Sequence, residues 1–458
     1  MMRASLVVAL AVVACGDDHR ARPDSGHGDD VADASIDAGD AGPPVCDPRV
    51  DPYGRCVGDV LHGCAGGLVT TTDCATAAQT CAWVSDMVGY GCVDPATAGA
   101  LLVSGTITYE DKPPLNDGAL GPIEPHAARG ARVSVDRDSD AMVLATATVA
   151  DDGTYRLRYT AMAGQMVHVM VASTSPLAAR PISVTTRQRA VHGFGGASFA
   201  AAPASVADVL VTDASKRAEA FNILDQLVGT MDAIRVVLGD PTPVPLVAEW
   251  EVNSNTGTYY SGGAIHLLGR SADDDGYDDT VILHESGHYV EETQGRSDSP
   301  GGSHDGSPTD ARLAWSEGFS TYWGMAVRGA PHYMDSNSMG GWGYDADSTV
   351  TVAPQPAGTL AQDVSEDMVT EDLWDLGDGN GTDDDPLDGT HTAVMRVQVD
   401  YLRSATLRAA GTTGVDLVDF LDGWFLKAGL TPCTPARTIV TVTRMFPYDY
   451  AGPAGTCP

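Results

Sequence analysis

The stretch VILHESGHYVEETQG, residues 281–295, sets two histidines four residues apart with a glutamate directly after the first. Asp278, Asp279 and Thr280 precede its apolar start as N-terminal cap candidates, and Gly295 offers a stop, so a helix is predicted here. On a helix, positions i and i+4 share one face, and His284 and His288 could then grip a single metal ion. Imidazole nitrogen with one carboxylate is a zinc ligand set. Glu285 would stand beside a water that the metal acidifies to a pKa of about 7, ready to take its proton as it attacks a carbonyl. The plain alternative is an ordinary helix that carries two surface histidines, and a third ligand decides between the two.

A third histidine shortly after His288, the metzincin spacing, is missing: Glu291 and Gln294 stand where that pattern needs other residues. A glutamate on a second helix is available. DARLAWSEGFSTYWGMAVRG (310–329) reads as a helix bearing Glu317, with Gly318 beside it to let the two helices approach. Rival third ligands are His304, in GGSHDG, and Glu291 or Glu366. His304 reads more simply as a substrate-side residue or one that supports the ligands. Trp315, Glu317, Gly318, Phe319 and Tyr322 resemble the Trp-x-x-Glu-Gly-Phe-Ala-x-Tyr helix of aminopeptidase N-type gluzincins, with Trp315 one position closer to the glutamate. Thermolysin-like enzymes use the same logic. The resemblance implies a zinc metallopeptidase with His284, His288 and Glu317 as ligands and Glu285 as general base. It is carried by 280–330 and, loosely, by 214–430.

Two departures from that family matter. Twenty-eight residues (289–316) separate His288 from Glu317, an excess that the Gly/Ser-rich loop 295–307 can absorb. The upstream strand SGGAIHLLG lacks the glutamate with which aminopeptidases read a substrate amine. An edge strand around Ile265–Leu268 would instead take an extended peptide by strand addition, which favours an endopeptidase. For charge on the substrate oxygen, His391 in LDGTHTAV is a catalytic candidate, because its setting resembles the Asp/His segment of thermolysin-like enzymes. Tyr322, five residues past Glu317, falls off the metal-facing side.

The rest of the 458-residue chain supplies the setting. Asp and Glu number 62 against 27 Lys and Arg, a formal charge of −35, which excludes nucleic acid and anionic membrane surfaces as partners. The start, MMRASLVVALAVVACGDD, has Arg3, then an apolar run too short to span a bilayer. It resembles a bacterial lipobox cut before Cys15, with Gly16 next. That resemblance implies export and a lipid anchor in the outer membrane or cell surface of a Gram-negative bacterium. Nine cysteines agree: one for lipid, and an even eight (Cys46, Cys56, Cys64, Cys74, Cys81, Cys92, Cys433 and Cys457) as disulfide candidates.

Five segments follow: a signal peptide (1–14), a disordered acidic tether (15–45), a six-Cys disulfide-rich module (46–95), an all-β sandwich (98–212) and an α+β zincin-like domain (214–458). The six-Cys module allows fifteen pairings. VSGTITYEDKP and VADDGTYRLRYT resemble the carboxypeptidase regulatory-like β-sandwich. In DASKRAEAFNILDQLVGTMDAIRVVLG, Phe221, Leu224, Leu227 and Met231 recur at helical spacing. Calcium is a second candidate ion. SADDDGYDDT (271–280) and DLGDGNGTDDDPLDGT (375–390) are dense in oxygen donors, and Asp378, Asn380, Thr382 and Asp384 alternate as calcium-loop ligands do. Peptide or protein substrates are the partners this reading implies. A surface binding or adhesion lipoprotein with an inactive or structural metal site is the rival reading.

Overall fold

The computed structural model describes residues 54–93 apart from 58, 66–67 and 86–88, then 101–347, 359–379 apart from 361, 386–404, 413–429 and 433–450. The signal peptide and tether, with Cys15, Cys46 and Cys457, lie outside the described residues, as do Asn380, Thr382 and Asp384. No described helix is long and apolar enough to cross a membrane.

The chain passes from a small disulfide-bonded module through a sheet-rich region to a helical one. In the module, a three-stranded antiparallel ladder (Arg55–Val57, Val60–Ala65, Leu68–Asp73) meets a hairpin (Thr80–Ser85, Gly89–Val93). Its strand Leu68–Asp73 is mostly exposed, so covalent staples replace an apolar core. The pairs are Cys56–Cys81 and Cys74–Cys92, and Cys64 and Cys433 are disulfide-bonded too.

The sheet-rich region holds two sheets. One is built on Leu101–Asp111, flanked by Thr154–Tyr159 and by Ala204–Val206. The other centres on Arg132–Arg137 and Met166–Ala172. Period-two burial drives both: Tyr155, Leu157 and Tyr159 point inward while their neighbours are exposed, and Val167, Val169 and Val171 are fully buried.

The region boundary near 212 is not a clean cut. Ile182–Thr185, expected in the sandwich, instead runs parallel to Leu246–Glu249, in register from Ile182↔Leu246 to Thr185↔Glu249. The chain then returns to the sandwich at Gly193–Gly195. A second expectation is corrected in the same sheet. Its order is Thr174–Ser175, Ile182–Thr185, Leu246–Glu249, Ala264–His266, Tyr259–Ser261. Ala264–His266 is therefore interior, and Tyr259–Ser261 is the edge.

Helix α1 (Ala218–Ala233) buries Phe221, Leu224, Leu227 and Met231 completely, as their spacing predicts. Helices α2 (Asp279–Gln294) and α3 (Ala311–Arg328) pack side by side at the centre of the helical region. Gly318 does not mediate that contact, contrary to expectation. A Cβ there would lie 2.5 Å from Val369 Cβ of helix α4 (Glu366–Asp375), on the other side of α3. The close approach to α2 is made by Gly287, where a Cβ would lie 2.5 Å from Ser320 Cα. Helices α5 (His391–Val397) and α6 (Leu417–Ala428) cover the remaining flank, α6 starting from a capping box between Asp416 and Asp419.

Candidate metal centre

Helix α2 is buried on almost every side, which is unusual for a segment so polar. His284 and His288 are one turn apart on it, with ring centroids 5.0 Å apart. Helix α3 brings Glu317 to them. Its Oε2 lies 3.2 Å from His284 Nε2 and 3.3 Å from His288 Nε2. One donor atom from each of these residues falls within 4.8 Å of the others. Glu285 is fully buried next to them.

Residues around this trio orient it. His284 Nδ1 is 2.9 Å from Thr321 Oγ1, and His288 Nδ1 is 3.0 Å from Ser320 Oγ. Glu291 sits 3.7 Å behind His288 Nδ1 and accepts a hydrogen bond from Ser316 Oγ. With their Nδ1 atoms engaged, both imidazoles turn Nε2 toward Glu317. Such outer partners fix tautomer and ring angle wherever histidine holds a metal. Glu291 thus backs His288 and does not stand among the three candidate donors. Ser316, Ser320 and Thr321 escaped sequence reading. Their signal was polar residues clustered around Glu317 at i−1, i+3 and i+4 on a helix otherwise rich in apolar side chains.

His304 is the addition. The long loop between α2 and α3 folds back so that His304 Nε2 lies 3.4 Å from Glu317 Oε2, while Nδ1 is 2.6 Å from Glu366 Oε2. Glu366 also accepts from Gly306 N at 2.9 Å, so one carboxylate fastens the loop in two places. Neither His304 nor Glu366 joins the three-donor group itself.

Charge in this pocket is strongly coupled. Burial would raise the Glu317 carboxyl, but the imidazoles of His288, His284 and His304 outweigh it and hold it well below the usual range. Burial opposes the charged form of His304, yet Glu366 and Glu317 push its pKa up to about 9.

Three imidazole nitrogens thus face one buried carboxylate oxygen. Glu317 Oε2 and His304 Nε2 nevertheless make no hydrogen bond among the described residues. Buried polar atoms normally find partners, so an orphaned oxygen ringed by nitrogens is what a cation-binding set looks like. Two imidazoles and a carboxylate fit a divalent metal of the zinc type.

His391 is placed elsewhere. It lies against Trp374, and its Nδ1 is 3.2 Å from Tyr322 Oη. Burial pushes its pKa down to about 4, so it is neutral at physiological pH. Tyr322 is fully buried in the same packing. The structure thus joins the catalytic candidate His391 to Tyr322 and to Trp374. Tyr333, on the strand His332–Asp335, instead lies edge-on to His284 with centroids 6.0 Å apart.

No known protein family matches the chain, and no curated protein is significantly similar to it.

Proposed function

We propose that the chain is a zinc-dependent peptide hydrolase in which His284, His288 and Glu317 hold the ion. The observation that carries this reading is the convergence of three imidazole nitrogens, 3.2–3.4 Å away, on one orphaned and buried Glu317 oxygen, with a second buried glutamate, Glu285, next to His284 on α2. A zinc ion held there supplies Lewis acidity, which lowers the pKa of a water and polarises a carbonyl. Glu285 then takes the proton of the water that attacks the peptide carbonyl carbon, and returns it to the departing amine nitrogen as the C–N bond breaks. His304, aligned by Glu366, is the residue best placed to face charge developing on the carbonyl oxygen. The gluzincin resemblance of 280–330 points the same way. The edge for strand addition would be Tyr259–Ser261, which keeps the endopeptidase reading. Export and lipid anchoring rest on the N-terminal sequence.

One observation favours the rival reading of a structural metal in a surface binding protein. His304 is a fourth metal-ligating side chain beside the cluster, and structural zinc sites are closed by four protein ligands. Metal content and cleavage of unfolded casein, measured on wild type, Glu285→Gln and His304→Ala, separate the two. A hydrolase keeps about one zinc per chain in all three and loses cleavage in Glu285→Gln. A structural site loses zinc in His304→Ala and cleaves nothing in the wild type.

A further inference from the structure

The acidic loop before α2 folds into a second cluster. Asp273 and Asp275 come from that loop, and Asp335 comes from the end of the strand His332–Asp335 that follows α3. One carboxylate oxygen from each falls within 4.8 Å of the others. Asp275 is almost fully buried. Each of the three has a neighbour that leaves an oxygen to spare. Asp273 Oδ2 accepts from Arg270 Nη2 at 2.6 Å. Asp275 Oδ2 takes the Thr258 hydroxyl and the Leu268 amide. Asp335 is held by Trp342.

A fourth carboxylate supplies the independent observation. Asp278 stands at the N-cap position of α2, yet it makes no side-chain cap bond. Its Oδ2 accepts from the backbone amide of Ser336, the residue after Asp335, at 3.2 Å. Its Oδ1 is buried and has no hydrogen-bond partner among the described residues, in a side chain that is 1% exposed. A buried carboxylate oxygen with no donor, close enough to Asp275 and Asp335 to feel their charge, is stable only when a proton or a cation is shared with it. The surroundings agree. Burial first, and then the charges of Asp335 and Asp273, push Asp275 well up, while burial and then Asp275 do the same to Asp278.

We propose that Asp273, Asp275 and Asp335 bind a calcium ion, with Asp278 behind them and in reach through water. The donor set is oxygen alone, which suits a hard cation and not zinc. Calcium takes oxygens at about 2.4 Å, so donors on opposite sides of it stand up to about 4.8 Å apart; magnesium demands a tighter octahedron and favours one or two carboxylates. The ion would tie the start of the zinc-candidate helix to the strand after α3. Those two are already joined where Met334 N donates to Thr280 Oγ1 at 2.8 Å.

Terbium, an oxygen-seeking stand-in for calcium, tests this on protein that carries its zinc. Trp342 sits beside Asp335 and serves as the antenna for sensitised emission. We expect stoichiometric emission that calcium displaces, a rise in melting temperature with calcium that magnesium does not reproduce, and at least tenfold weaker terbium binding in Asp335→Asn and Asp273→Asn. Zinc content in each variant reports that the neighbouring helices are intact, so failure here is distinct from failure of the hydrolase reading. Asp273→Asn, at the half-exposed rim, stands in if Asp335→Asn does not fold. Variant titrations that superimpose on wild type would mean diffuse binding by surface charge and would overturn the site. So would emission that calcium cannot displace, and an equal response to magnesium would overturn its assignment to calcium.

Discussion

At the scale of single residues, His284 and His288 differ from surface histidines in what stands behind them. Thr321, Ser320 and Glu291 hold their Nδ1 atoms, and a bare helix with two histidines would have no use for that support. Glu291→Gln removes the charge behind His288 while keeping its shape. We expect about 10–100-fold weaker zinc retention or activity, read by competition with a chromogenic chelator. His304→Ala tests the other side. If His304 faces the substrate, kcat falls while zinc content holds at about one per chain, and removal of a true ligand would empty the site. The meeting of His284, His288 and Glu317 was legible because His-Glu-x-x-His and Trp-Ser-Glu-Gly-Phe are local patterns tied to helix geometry. His304 and Glu366 were not, since 61 residues separate them (305–365) and only the fold-back of a loop joins them.

At the scale of elements, the helix pair is set by which glycine faces which neighbour. Glycine inside a helix costs roughly 1 kcal/mol relative to alanine, so a free Gly→Ala change should stabilise. Gly287→Ala should do the reverse, because its Cβ would lie 2.5 Å from Ser320 Cα, backbone that cannot swing away. Overpacking of this kind costs about 1–3 kcal/mol, so the clash outweighs the gain. Gly318→Ala meets Val369 of α4 and is expected to destabilise as well. Only Gly287→Ala pries α2 from α3, so only it should also weaken zinc retention. Urea denaturation paired with metal analysis of both variants checks this. The sequence pointed to close packing of these helices but could not tell which face of α3 Gly318 occupies, because helical phase relative to two neighbours is a tertiary property.

The first turn of α2 carries a pH signature. Burial, and then the charge of Asp111, raise Asp279 to about 7 against a hydrogen bond from Asn222 that favours its ionised form. A carboxyl with a raised folded-state pKa contributes stability that is fully present below its unfolded value near 4, and that is lost as pH rises through about 7. Wild-type melting temperature should therefore fall between about pH 5 and about pH 8. Asp279→Asn keeps a carbonyl to accept from Asn222 and cannot ionise, so its melting temperature should fall less over the same range. Equal slopes in the two proteins would show that Asp279 is not the titrating group.

At the scale of the whole molecule, the strand Ile182–Thr185 is what makes the sheet-rich and helical regions one folding problem. Period-two alternation told where strands lie, but not which sheet each joins, and ISVTT reads alike in either. Its parallel pairing with Leu246–Glu249 places it beside a strand whose Leu246 and Ala248 are buried. Without it, Leu246–Glu249 would become an edge with unpaired backbone groups and bared apolar side chains, the condition that invites aggregation. His192 adds a second tie, with Nε2 2.9 Å from the Trp250 carbonyl. A fragment starting at 214 keeps every proposed metal ligand and the general base, and sequence reading alone would pick it as the minimal catalytic domain. The sheet order predicts otherwise. Residues 214–458 expressed alone should aggregate or show no cooperative melt, while 98–458, which retains Ile182–Thr185, should fold and hold about one zinc per chain. Circular dichroism melts and metal analysis of the two fragments decide the matter, and a cooperative, zinc-retaining 214–458 would mean that the crossing strand is dispensable to the site.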